Sequence, residues 1–187
     1  MEKQERFTYI VPVTKSPHQT GRIGPRRFQD WYRGAVKARE YLGKYHPARI
    51  LVLSDVHVNG EKHEADLYHK ALTDAGVEEH GIEVIKEEQE TIGQIDRLYK
   101  IAEEENAKLV IISTFLHYLR VAWLVWRKRT YRSGLVEVTH RAAFGIPRPR
   151  EVITDVILWF VFPVIDLLGG RLWFQRKVSG RRVSGAF

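Results

Sequence analysis

The feature that most constrains this chain is a repeated switch in the period of its apolar residues. Residues 9–13 (YIVPV), 50–53 (ILVL) and 109–112 (LVII) are short continuous apolar runs, the pattern of strands buried on both faces. Between the first two, residues 26–42 place Phe28, Trp31, Ala35, Ala38 and Leu42 at helical spacing. Residues 64–75 predict a second helix closed by Gly76, 82–85 a short strand and 92–105 a third helix. Residues 116–129 predict a fourth helix carrying Leu116, Leu119, Trp123 and Trp126, and 134–138 a fifth strand. Strands that alternate with helices in this way predict an α/β fold, with a mostly parallel five-stranded sheet covered by helices on both faces. That is a three-layer Rossmann-like arrangement with one added C-terminal helix.

A chain of 187 residues suits one such domain over residues 1–150, with 151–187 as an apolar helix and basic tail packed on it. The apolar stretch 152–168 holds 17 residues, broken by Asp155, Pro163 and Asp166. As a helix it would reach about 25 Å, short of the roughly 30 Å hydrocarbon core of a bilayer. The expectation is a core helix, with an interfacial membrane element or subunit surface as the alternative. Residues 1–8 are polar, with no signal-like apolar run, so the expected location is cytoplasmic, including the periphery of the membrane's inner face.

The formal charge of +7 is unevenly distributed. Residues 61–105 carry 14 acids against 5 bases, whereas 120–150 carry 8 bases against the single Glu137. The tail adds Arg171, Arg176, Lys177, Arg181 and Arg182. The basic excess therefore belongs to the C-terminal third. Aromatic residues mixed with those bases (Phe115, Tyr118, Trp123, Trp126, Tyr131) fit a core stripe beside a solvated face better than a nucleic-acid surface. Cysteine is absent, which excludes disulfides, thiolate metal sites and cysteine nucleophiles.

In open parallel sheets, ligands bind beyond the strands' C-terminal ends where the strand order reverses. With the first strand central, Thr14, Lys15 and Ser16 follow it, and Ser113 and Thr114 follow the fourth strand. His117 and Arg120 come next, three positions apart and so on one helix face, where free N–H groups add positive potential. Together these residues predict an anion site. Neither a G-x-G-x-x-G nor a Walker sequence is present, which disfavours classical dinucleotide and P-loop binding. Asp55 and His57 after the second strand are similar to the first metal motif of calcineurin-like metallophosphoesterases, which makes a metal-dependent phosphoesterase an alternative. The further ligand runs of a two-metal site are missing, so no metal site is assigned.

In order and spacing, several segments resemble the domain-of-unknown-function family that includes the YdcF, SanA and ElyC proteins. They are Glu64-Ala65, Ala75-Gly76-Val77, Glu90-Thr91-Ile92-Gly93-Gln94, and Ser113-Thr114-Phe115-Leu116-His117-Tyr118-Leu119-Arg120. The resemblance runs from residue 9 to residue 138. Gly93 and Gln94 stand where that family has Glu and Asn, and Ser54-Asp55-Val56 where it has Ser-Gly-Gly. The resemblance implies one polar pocket lined by Thr14, Ser54, Glu64, Thr91, Gln94, Ser113, Thr114, His117 and Arg120. It also implies a bacterial protein of envelope metabolism with a nucleotide-like ligand such as S-adenosylmethionine, and leaves the reaction open. Transfer or hydrolysis at a phosphoryl or glycosyl centre would use Glu64 as general base and His117 as acid or electrostatic stabiliser. The alternative is a non-catalytic protein of the membrane surface, or an oligomer, that uses the C-terminal helix.

Overall fold

Strand β1 (Thr8–Val13) has all six residues buried and is paired in parallel on both edges, with β2 (Ala48–Leu53) on one side and β6 (Lys108–Thr114) on the other. The computed structural model describes residues 6–13, 25–54, 57–58, 62–87, 91–131, 136–143, 149–170 and 173. Two further strands, β5 (Ile82–Ile85) and β7 (Val138–Ala143), extend the sheet outward in the order β5-β2-β1-β6-β7, with every pairing parallel. Counting only these five strands, the order along the sheet is 3-2-1-4-5, as in a Rossmann-like fold. Two-residue strands β3 (His57–Val58) and β4 (Lys62–His63) form a separate antiparallel pair.

Parallel neighbours need crossovers, and the helices supply them. Helices α1 (Pro25–Leu42) and α2 (Glu64–Asp74) cover one face, and α3 (Thr91–Glu104) and α4 (Phe115–Tyr131) cover the other. The strand period of two divides the core accordingly. Tyr9, Val11 and Val13 join Leu51, Leu109 and Ile111 against Ile95, Leu98 and Leu124. Ile10 joins Ile50, Val52, Val110 and Ile112 against Ala35, Ala38, Ala71 and Leu72. The hydroxyl of Tyr9 is not stranded in this core, because it donates to Glu105 Oε2 at 2.6 Å. Helix α2 ends in a Schellman motif: Gly76 N–H donates to Thr73 O at 2.9 Å and Val77 N–H to Leu72 O at 3.0 Å, with Gly76 at φ +83°. This is the stop expected from the sequence.

Two expectations differ from the structure. The fifth strand is β7 at Val138–Ala143, not 134–138. Its middle, Thr139 to Arg141, is polar because β7 is an edge strand, so it lacks the continuous apolar run that marks the inner strands. In α4 two residues of the stripe expected to be core are turned outward, Leu119 48% and Trp126 54% exposed, while Trp123 packs partly buried against the core. The buried stripe is His117, Val121, Leu124 and Val125, a spacing of i, i+4, i+7 and i+8 that includes a polar residue.

Helix α5 (Pro149–Leu167) packs along α4. Phe162 enters the same core as Val121, Leu124 and Val125. The buried carboxylate of Asp166 accepts from Arg127 Nε at 2.7 Å and from Trp123 Nε1 at 3.0 Å through one oxygen, Oδ2. Among the described residues, no helix is long and apolar enough to cross a membrane. Replacing the carboxylate leaves the part-buried Arg127 and Trp123 donors without this acceptor, so Asp166→Ala should lower stability by about 1–3 kcal/mol in urea unfolding. A loss below about 0.5 kcal/mol would show that this contact does not hold α5 in place.

Candidate functional site

The candidate residues the structure describes lie at or beyond the C-terminal ends of strands, with Ser113 and Thr114 forming the last two residues of β6 instead of following it. Six of them, Ser54, Glu64, Thr91, Ser113, His117 and Arg120, fall into three hydrogen-bonded groups. The first joins β2 to α2. Ser54, the residue after β2, donates through Oγ to Oε2 of Glu64, the first residue of α2, at 2.7 Å. Glu64 is 4% exposed, so it is not the solvated surface carboxylate its position on a helix would suggest.

The second group joins α3 to α4. Thr91 opens α3, and its Oγ1 lies 3.1 Å from His117 Nε2. Arg120 Nη2 lies 3.0 Å from His117 Nδ1, 3.4 Å from Nε2 and 3.3 Å from Thr91 Oγ1. A guanidinium nitrogen this close to both ring nitrogens lies over the face of the imidazole, not along either in-plane lone pair, so Arg120 packs on the ring as a cation on a π surface while it donates to Thr91. His117 is 1% exposed, whereas Arg120 is only partly buried. The imidazole is therefore an internal strut, and the guanidinium it holds is the group that solvent can reach. Gln94 lies one turn along α3 from Thr91 on the same buried side.

The third group was not visible in the sequence. Ser113, at the end of β6 and fully buried, has its Oγ 2.7 Å from Nε2 of His140 on the neighbouring strand β7. Tyr118 of α4 stacks on that imidazole, with ring centroids 4.1 Å apart and planes within 11°. Burial, with a smaller contribution from Arg141 beside it, pushes the His140 ring down to a pKa of about 4, so it is neutral at pH 7. With the fifth strand expected to end at Val138, His140 fell outside any element. The only signal was its place two residues after a strand-like valine, which gave it no partner. Ser113 is thus engaged by His140, while Thr114, half-buried, ends β6.

Thr14 and Asp55 lie outside the described residues, and for His57 only the backbone of β3 is described. Among the described residues, no group of three or more His, Asp or Glu side chains is placed to hold a metal ion. Comparison with known protein families, curated proteins and solved structures finds no match to this chain.

The His140 environment implies a pH dependence. Its folded pKa of about 4 lies below the ordinary value of 6.5, so the unfolded chain binds more protons between those limits. The associated stability is complete above about pH 6.5 and is lost as pH falls towards 4. Because solvent reaches part of the ring, the loss is about 2 kcal/mol. NMR titration of the ring should give a midpoint near 4, and His140→Gln should flatten the stability profile across this window. A midpoint near 6.5 would contradict the assignment.

Proposed function

We propose that this chain binds an anionic or nucleotide-like small molecule at the C-terminal edge of its sheet, as its resemblance to the YdcF-like family implies. The observation that carries the reading is the held guanidinium of Arg120. A buried imidazole and a threonine hydroxyl hold its Nη2, which restricts a side chain that is otherwise rich in rotamers. It does so at the start of α4 and against the first residue of α3, where two sets of helix N–H groups favour negative charge. Pre-positioned cations of this kind are well suited to phosphate or carboxylate groups.

In this reading Arg120 meets the anion and His117 holds Arg120. Gln94 and Thr114 offer polar contacts to the remainder of the ligand. The Ser54–Glu64 pair lies at the β2 side of the same sheet edge. There an acceptor carboxylate bonded by a hydroxyl suits general-base work, and the reaction that fits is transfer or hydrolysis at a phosphoryl or glycosyl centre. S-adenosylmethionine and nucleoside phosphates are the first ligands to try, and envelope metabolism is the setting the resemblance supplies.

The test is a thermal-shift series on the full chain with inorganic phosphate, nucleoside mono- and diphosphates and S-adenosylmethionine. A ligand at about 100 times its Kd should stabilise the protein by about 2.7 kcal/mol. Arg120→Ala should weaken binding about 10- to 100-fold, the value of a charge-assisted hydrogen bond. Binding that survives His117→Ala and Arg120→Ala together would overturn the assignment.

A further inference from the structure

Helix α5 is inverted relative to an ordinary surface helix. Its outward positions are Ile157, Phe160, Val161, Val164 and Leu167, between 43% and 73% exposed, and Leu168 just beyond the helix end is 82% exposed. Their spacing of i, i+3, i+4, i+7, i+10 and i+11 is a single unbroken stripe. Among the described side chains of the helix, the charged one, Asp166, is on the opposite side, buried against Arg127 and Trp123. Trp126, more than half exposed, packs against Trp123 with ring centroids 5.0 Å apart and widens the apolar surface. A stripe of this size facing water marks a contact surface.

The charge around it indicates the partner. From residue 138 to residue 187 the chain holds eight Arg and Lys (Arg141, Arg148, Arg150, Arg171, Arg176, Lys177, Arg181, Arg182) against Glu151, Asp155 and Asp166. The bases stand in sequence towards both ends of the helix, two before it, one in its first turn and five after it. Two copies paired through α5 about a two-fold axis would bring basic ends together, whichever end of one helix met the other. An anionic surface pairs with both ends at once. Trp173, 58% exposed, adds an aromatic residue of the type that settles at headgroup level.

We propose that α5 is a membrane-docking helix. Its apolar stripe lies flat in the surface of a bilayer containing anionic lipid, and the flanking Arg and Lys side chains contact the lipid phosphates. The helix lies along the surface rather than across it because its other side is already committed to the protein core through Phe162 and Asp166. This inference is independent of the ligand site: it needs neither Arg120 nor Glu64.

The experiment is co-sedimentation of the full chain with vesicles of phosphatidylcholine alone and of phosphatidylcholine with phosphatidylglycerol, at low and at physiological salt. Binding is expected to the phosphatidylglycerol vesicles and to weaken as salt rises. Arg181→Ser with Arg182→Ser should weaken it about 25-fold, about fivefold for each base near the surface. Phe160→Glu with Leu168→Glu should abolish it while leaving the melting temperature unchanged, since both side chains are exposed in the free protein. Three outcomes would overturn the proposal: no sedimentation with phosphatidylglycerol vesicles at low salt, sedimentation indifferent to the Phe160 and Leu168 changes, or a lipid-free dimer that those changes dissolve in a chain that binds no vesicles. The last would assign the face to a second copy.

Discussion

Strand β1 has no solvent side. Its β6 edge is paired along the whole strand and its β2 edge from Thr8 to Ile10, both its faces are covered, and every side chain from Thr8 to Val13 is buried. Such a strand can only be central, and central parallel strands require the chain to leave and return by helical crossovers on either face. The first two crossovers run through α1 and α2, and the next passes through α3 to the other side of β1. The reversal of direction about β1 is what places the ends of β2 and β6, and the starts of α2, α3 and α4, along one edge.

The polar groups at that edge are organised by burial. Glu64, Ser54, Thr91, Ser113 and His117 are all buried, and each has a hydrogen-bond partner within the edge. A buried polar group without a partner is expensive, so these pairings fix side-chain orientation. The consequence is uneven: among the described residues of these groups most polar atoms serve one another, while the Arg120 side chain stays partly in contact with solvent. The same accounting explains α5. Among its described side chains the buried charge, Asp166, is matched to Arg127 and Trp123 on the side that also buries Phe162, and Ile157, Phe160, Val161, Val164 and Leu167 face outward.

Much of this was legible beforehand. Residues 9–13, 50–53 and 109–112 read correctly as strands because inner strands are apolar on both faces, 82–85 because edge strand β5 keeps three apolar residues in four, and Gly76 read correctly as a helix stop because φ +83° favours glycine. His117 and Arg120 were singled out because a parallel sheet makes the ends of its strands neighbours, and Ser54, Glu64 and Thr91 because the family resemblance implied them. Edge strand β7 was misplaced because its middle, Thr139 to Arg141, is polar and leaves no apolar run to read. His140 was missed with it, and so was the partner of Ser113. The rotation of α4 was misread because its large apolar residues, Leu119 and Trp126, lie on the side that the core does not take.

The sequence by itself determined the kind and order of the elements, since apolar period and turn chemistry are local and the crossover rule converts them into a layered sheet. Only the tertiary structure decided which face of each helix is buried, that Ser113 meets His140, and that Asp166 points inward while Phe160 and Leu168 point out. The physical reason is that periodicity specifies the angular spacing of side chains around a helix axis. The choice of buried face depends on the sum of contacts with residues distant in the chain, and there a paired His117 or Asp166 displaces a larger apolar neighbour.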